Sequence, residues 1–489
     1  MNLDLKKLLP PELERILTQT PELRHAYLVG GCVRDALLGL PCKDFDVEVF
    51  GVEADTLVRA LTRWGKVDVV GRAFGVVKLT TPTGATFDFS LPRRDSKVAP
   101  GHRGFQIQCD PGLSPREAAA RRDFTFNALM YDPARDQVLD FFGGLNDLQH
   151  RVLRHTSPAF VEDPLRVLRG MQFAARFDLT PAPETVELCR QMKPSFRELA
   201  VERVRDEWFK WAAQSTKPSA GLRFLQRTEW LEHFPELHAL VGLPQEPAWH
   251  PEGDVFTHTC HCCDALVQLP DWQQADPQTR IVLSFAVLTH DLGKALTTQR
   301  QLVDGQQRIV SPRHEEASQQ LAAAFLERLR APRAVVERVL PLVRHHMAHL
   351  QVVTDRSVRR LAERLAPATI PQLCVVLSAD AQGRPPLPPR VPEAVPALLA
   401  KAAELQVRQS APKPILMGRH LVALGLQPGP ALGHILHAAY EAQLEGHFSS
   451  LPEAYGWLAA QPQLPLSEEL RGKLRQAAGS GPTSPTEPG

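Results

Sequence analysis

Polar and apolar residues alternate along "KDFDVEVF", from Lys43 to Phe50. A period of two predicts a half-buried strand, with Asp44 and Asp46 projecting from one face. Other β-rich runs, "VDVVG", "GVVKLTT" and "ATFDFS", share the chain up to about residue 150 with one or two helices, which predicts a small mixed domain. A charged, glycine-bearing loop, "RRDSKVAPGHRGFQ" (Arg93 to Gln106), interrupts it. From about Glu162 the period lengthens. "DPLRVLRGMQFAARF" spaces its apolar residues by three and four, with arginines on another face, and predicts a helix. Proline punctuates residues 381–396, which read as a linker or an extended surface segment. "KPILMGRHLVALGLQPGPALGHILHAAYEAQLEG" then returns to helix, and "AAGSGPTSPTEPG" reads as a disordered tail. No internal repeat is visible. The expected fold class is α+β. A head over 1–150 is followed by a helical neck over 151–245, a second helical domain over 246–385, a C-terminal helical region over 386–475 and a tail over 476–489.

At 489 residues the chain exceeds what a single core supports. Hydrophobic content of 43% and charged content of 23% are those of an ordinary globular protein. No apolar run approaches the ~18–20 residues needed to span a bilayer, so no membrane association is expected. The first residues, "MNLDLKKLLPPELERIL", read as a polar-faced helix rather than a secretory signal. Eight cysteines are scattered without disulfide spacing, which suits a reducing cytoplasm. A net charge of +1 gives no global nucleic-acid footprint. Basic residues cluster locally instead, in "PRRDSKVAPGHRG", "REAAARRD", "QHRVLRH" and "RVLRGMQFAARF", where phosphates would meet them.

Two carboxylates held as close as Asp44 and Asp46 repel each other, and burying them unpaired costs several kcal/mol. A divalent cation resolves the conflict, and hard oxygen ligands favour Mg²⁺. Upstream, Gly30-Gly31 precedes a predicted helix, where backbone N–H groups donate hydrogen bonds to phosphate oxygens. Arg34, one turn into that helix, would pair with the same triphosphate. The plain alternative is a glycine turn beside a solvated acidic strand.

"GGCVRDALLG…KDFDVEVFG" resembles the first motif of class II nucleotidyltransferases, the CCA-adding enzymes and bacterial poly(A) polymerases of the polymerase β superfamily. "RRDFTFNALMYD", "DFFGGLNDLQHRVLRH", "EDPLRVLRGMQFAARF" and "ERVRDEWFK" follow in family order, so the resemblance covers about the first 215 residues. It implies that Asp44 and Asp46 hold magnesium while an RNA 3′-hydroxyl attacks the α-phosphate of CTP or ATP. Asp88 in "TFDFS" is a candidate third carboxylate or an ordinary strand-end acid. Gly30, Gly31, Arg34, Asp35 and Arg122 would contact the nucleotide. Asp123 and Asn127, four apart if "RRDFTFNAL" is helical, would read the ribose. Asp163, Arg166 and Arg169 share a helix side and would present an acceptor and fork donors to the base. Relatives often carry another arginine where this chain has Gln172. The implied substrate is tRNA, whose 3′-CCA end would be built or repaired without a template. The loop Arg93 to Arg116 resembles in length the element associated with terminal A addition. Specialised CC- or A-addition and poly(A) synthesis are the alternatives within the family. A protein uridylyltransferase is the alternative outside it, although the βαββαβ pattern of its ligand-sensing domains is missing.

A second set of residues begins at "HPEGDVFTHTCHCCDAL". His258 is followed by "VLTHDLGKA" with His290 and Asp291, "SPRHEEA" with His314, "LVRHHMAH" with His345 and His346, and "LSADAQGR" with Asp380. Adjacent His-Asp between apolar helical runs needs polar partners, and imidazoles with carboxylates suit a borderline metal. The order resembles the HD phosphohydrolase domain, which implies a site of His258, His290, Asp291, His314, His345 and Asp380. That site would hold a divalent transition metal such as Ni²⁺, Mn²⁺ or Co²⁺ and cleave phosphomonoesters and 2′,3′-cyclic phosphates. Cys260, Cys262 and Cys263 sit beside His258 and His261, yet no second cysteine pair completes a structural zinc site. They are expected to be buried thiols.

Overall fold

Alternating residues need hydrogen-bonded neighbours, and the head supplies them in a seven-stranded sheet. The computed structural model describes residues 9–42, 44–70, 75–97 and 105–479; at 70, 94–97 and 105–108 only the backbone is considered. The strands are β1 (Ala26–Val29), β2 (Asp46–Val49), β3 (Lys66–Val70), β4 (Val76–Thr80), β5 (Thr86–Ser90), β6 (Arg93–Lys97), β7 (Phe105–Cys109), β8 (Met130–Asp132) and β9 (Gln137–Leu139). The sheet order is β3-β4-β5-β2-β1-β8-β9, which puts the acidic strand β2 in the middle. β2 runs antiparallel to β1 and parallel to β5, with Asp46 opposite Asp88. Val47 and Val49 point into the core, as do Phe87 and Phe89 of β5, so the acidic residues take the other face. The strand is shorter than its alternation predicts: Asp44 and Phe45 precede it. Part of the loop Arg93 to Arg116 forms the antiparallel pair β6–β7, while residues 98–104 lie outside the described residues.

Two compact units make up the chain. The first joins Met1–His238 with Glu327–Arg330, the second Ala239–Leu326 with Ala331–Gly489. In the first, the helix Leu165–Phe177 packs on the helices Val201–Gln214 and Pro218–Arg227. Its Phe173 and Phe177 meet Phe124 and Phe126 edge-to-face, a cluster that fixes the helix against the head. The second unit gathers the helices Val255–Leu266, Pro277–Thr289, Arg333–Arg344 and Ile370–Gln382 and, as far as Leu326, the helix His314–Arg328, with a hairpin of Gln299–Val303 and Gln306–Val310. Its last helices bury Leu416, Leu421, Ile435, Leu458 and Leu474 in a core of their own. The final helix runs to Gly479, past the expected tail boundary at 476, because Leu470 and Leu474 are buried on it. Residues 480–489 of the expected tail lie outside the described residues. Among the described residues, no helix is long and apolar enough to cross a membrane.

Candidate active sites

In the first unit a cavity of roughly 390 Å³ collects Gly30, Gly31, Arg34, Asp46, Arg122, Asp123, Asn127 and Arg169, joined by Gln172, Arg176 and Lys210. Gly30 has φ +73° and ends β1, and the helix Gly31–Leu37 starts immediately after it. A Cβ at Gly30 would lie 3.0 Å from Arg122 Nη1. Bare backbone is what lets a cation stand over the turn. Burial raises the Asp46 pKa, and Asp88, Asp44 and Glu48 add to the rise against the pull of Arg122. Asp88 Oδ1 accepts no hydrogen bond, and Lys78 approaches it only to 3.8 Å. A divalent cation relieves that repulsion, so the donor set fits magnesium.

The cavity's cations come with acids of their own. Arg34 is buried, with Nε 2.7 Å from Asp35 Oδ1 and Nη1 2.7 Å from Asn127 Oδ1, and it lies against the rings of Phe173 and Phe177. Arg121 and Arg122 both reach the fully buried carboxylate of Glu48, at 3.0 and 3.3 Å. Glu48 escaped the sequence reading, although the alternation Asp44-Asp46-Glu48 places it on the same face. Asp123 accepts from Arg169 Nε at 2.7 Å, from Asn127 Nδ2 at 3.0 Å and from the Phe124 N–H at 2.8 Å. Burial pushes its pKa up, but these partners outweigh burial and hold it below the usual range. The Asp123–Asn127 contact exists without the expected helix, because Thr125–Asn127 form a 3₁₀ turn after an extended Phe124.

Asp163 and Arg166 stand apart from this cavity lining. Arg166 donates to the carbonyls of Ala159 and Arg121 at 2.6 and 2.7 Å, and Asp163 accepts from Leu165 N–H at 3.0 Å while pairing with Arg203 at 2.9 Å. Arg169 is the member of the expected base-reading trio that lines the cavity.

In the second unit the imidazoles share one logic. His290, His314 and His346 each engage a backbone carbonyl through Nδ1, of Val287 at 2.7 Å, Ser311 at 2.8 Å and Val343 at 2.7 Å. His258 Nδ1 faces Glu252 at 2.7 Å. With Nδ1–H donated to those carbonyls, the Nε2 atoms of His290, His314 and His346 present lone pairs inward. Asp291 lies between them. Its Oδ2 is 3.3 Å from His290 and 3.6 Å from His258, and its Oδ1 is 3.4 Å from His314 and 3.7 Å from His346. His314 and His346 bring their Nε2 atoms to 3.1 Å, two acceptors facing each other that a shared cation reconciles. Burial and then His290 push the His346 pKa down to about 3, so the ring is a neutral donor. Asp380 Oδ1 approaches His258 at 3.2 Å and Arg384 at 3.0 Å. The donor set fits a borderline divalent metal.

His345 is a correction to the expected set. It follows the end of the helix Arg333–Arg344 and faces Arg344, Arg364 and Glu315, while its neighbour His346 turns inward. Glu252 and Lys294 were missed. Lys294 Nζ lies 2.7 Å from Asp291, and its three-residue spacing from the His-Asp pair was the available signal. Cys260, Cys262 and Cys263 are all buried, but Cys262 also joins His258, His290 and Asp380 in one ligand-spaced group. Beside this cluster a cavity of roughly 310 Å³ is lined by Trp249, Asp291, Lys294, His314, His346 and Arg384, with Ile309 and Val310 from the hairpin.

Known proteins place the chain. Residues 26–154 match the family described as "Poly A polymerase head domain", and residues 178–241 the family "Probable RNA and SrmB- binding site of polymerase A". A multifunctional CCA protein of Xanthomonas campestris is 39% identical over 430 residues, covering 84% of this chain and 96% of that protein. One from Xylella fastidiosa is 38% identical over 371 residues, 73% and 84% of the two chains. Among solved structures, the Bacillus stearothermophilus CCA-adding enzyme in complex with CTP superposes with a TM-score of 0.60 at 20% identity, covering 92% of this chain and 97% of that one. The Thermotoga maritima CCA-adding enzyme complexed with tRNA gives 0.58 at 20% identity, covering 94% and 99%. These two show a shared fold. Sequence relatedness across nearly the whole length, an acid-bearing strand beside a glycine turn, and the helices behind them converge on one assignment: the chain belongs to the class II CCA-adding nucleotidyltransferases, the family of multifunctional CCA proteins.

Proposed function

We propose that the first unit adds C and A to the 3′ end of tRNA from CTP and ATP without a template, in the cytoplasm. The observation that carries the reading is one cavity that holds Asp46, the Gly30-Gly31 turn and the cations Arg34, Arg122 and Arg169. Asp44 and Asp46 would hold magnesium, with Asp88 beside them. When bound, magnesium supplies neutralisation of the α-phosphate and of the leaving pyrophosphate. Backbone N–H groups at Gly30-Gly31 donate to phosphate oxygens. Glu48 holds Arg122 over that turn, and Asp35 with Asn127 orients Arg34, so both guanidiniums meet the triphosphate already positioned. Asp123 and Asn127 face the ribose. Base reading by Asp163 and Arg166 requires those side chains to exchange their present partners, Arg203 and two carbonyls, for the base edge. The tRNA would be gripped by shape and backbone through the helices rather than by sequence.

In the second unit His258, His290, Asp291, His314, His346 and Asp380 would hold a divalent transition metal that activates water against phosphomonoesters or 2′,3′-cyclic phosphates. Lys294 and Arg384, both lining the cavity, would bind the phosphate.

Incubation of tRNA lacking one, two or three 3′ residues with each labelled NTP and Mg²⁺ tests the first reading. Expected are C addition to the two shorter substrates and a single A after CC. Incorporation limited to C, limited to A, or extending into an A-tail would each reassign the activity.

A further inference from the structure

The cysteines of "THTCHCC" read in the sequence as buried thiols, because no second cysteine pair completes a structural zinc site. Cys262 is a different case, since it stands one turn beyond His258 and shares its face. Its Sγ is 3.3 Å from His258 Nε2, the same atom that faces Asp291 and Asp380. The donor atoms of His258, Cys262, His290 and Asp380 all lie within 4.8 Å of one another, and all four residues are buried. His290 Nε2 is 1% exposed as a residue, points into this group and has no hydrogen-bond partner. Gly383 packs directly on Cys262: a Cβ there would lie 2.4 Å from its Sγ and 2.7 Å from its backbone nitrogen. Cys260 and Cys263 are buried too but belong to none of the ligand-spaced groups among the described residues.

We propose that Cys262 is a thiolate ligand of the metal in the second unit, beside His258, His290 and Asp380, and that it makes the site select a thiophilic ion such as Zn²⁺, Co²⁺ or Ni²⁺ over Mn²⁺ or Mg²⁺. The inference rests on the metal-binding reading of that site. On binding, the thiol gives its proton to solvent and the sulfur lone pair to the metal, with no redox change. Soft sulfur gains most with borderline ions and little with hard, oxygen-seeking ones, so one residue sets the preference.

The full-length protein, stripped of metal and titrated with Co²⁺, tests this by absorption spectroscopy. A near-ultraviolet sulfur-to-cobalt charge-transfer band is expected in the wild type together with visible d–d bands. Cys262→Ser should lose the charge-transfer band and keep d–d bands, while Cys260→Ser and Cys263→Ser keep both. Affinity of Cys262→Ser for Co²⁺ and Zn²⁺ should fall by more than about tenfold, the scale on which even outer partners of metal ligands act, and its affinity for Mn²⁺ should change far less. Visible d–d bands in the wild type without a charge-transfer band would overturn the thiolate proposal and leave the metal site standing. No cobalt signal at all would overturn both. The wild-type spectrum decides the matter even if the serine variant fails to fold.

Discussion

Gly30 and Gly31 read alike in the sequence, yet the structure assigns them opposite responses to alanine. Gly30 has φ +73° and ψ −130°, a conformation L side chains rarely adopt. Forcing one there costs about 1–3 kcal/mol. The added methyl would also stand 3.0 Å from Arg122 Nη1, and that guanidinium is tied to buried Glu48 at 3.3 Å, so it moves only by loosening that pair. Strain expressed at the site corresponds to a roughly 5- to 150-fold loss of triphosphate affinity. Expressed globally, it lowers the melting temperature by about 2–4 °C for each kcal/mol in a unit of this size. Gly31 opens the helix and has negative φ; its methyl would meet Arg34 Nη2 at 3.4 Å, an ordinary contact. Alanine there should be neutral or stabilise by up to ~1 kcal/mol, since glycine is the poorer helix former. Calorimetric titration with CTP and thermal melts of the two variants measure both effects. Equal behaviour of the pair, or greater damage from Gly31→Ala, would refute the claim that backbone conformation at residue 30 shapes the phosphate pocket.

Asp46→Asn should abolish tRNA extension while hydrolysis in the second unit persists, and extension at a comparable rate would remove Asp46 from the metal set. His290→Ala combined with Asp291→Ala should eliminate cleavage of a nucleoside 2′,3′-cyclic phosphate without ending nucleotide addition, read by chromatography of both products from one preparation. Arg166→Ala should strand two carbonyls and cost about 1–3 kcal/mol, so an unshifted melting curve argues against its bracing role. Because Asp123 is held below its ordinary pKa by Arg169, Asn127 and the Phe124 N–H against burial, its ionised form stabilises the fold above about pH 4, and that contribution is lost as pH falls through the lower folded value. Arg169→Gln should therefore flatten the acid limb of stability in urea melts at stepped pH; an unchanged slope would disprove the coupling.

What was readable in the sequence was whatever local spacing determines. The alternation around Asp46 gives a face, and the glycine pair before a helix gives a phosphate turn. Partners distant along the chain were not readable. Asn127 orients Arg34 across 93 residues, and Arg203 holds Asp163 across 40. The choice between His345 and His346 depends on where the helix Arg333–Arg344 ends, a matter of packing rather than composition. Cys262 reads as a buried thiol for want of a second cysteine pair, whereas the cluster draws Asp380 from the helix Ile370–Gln382 and His290 from the end of the helix Pro277–Thr289.

The middle position of β2 bears on how the enzyme fails under heat. β3 and β9, at the rims of the sheet, are bonded on one side only, so their amides should exchange with solvent first, while those of 47–49 open only with the whole head. Fraying at the rims then leaves the acidic strand in register, and nucleotide addition should end abruptly at melting instead of fading as the margins loosen.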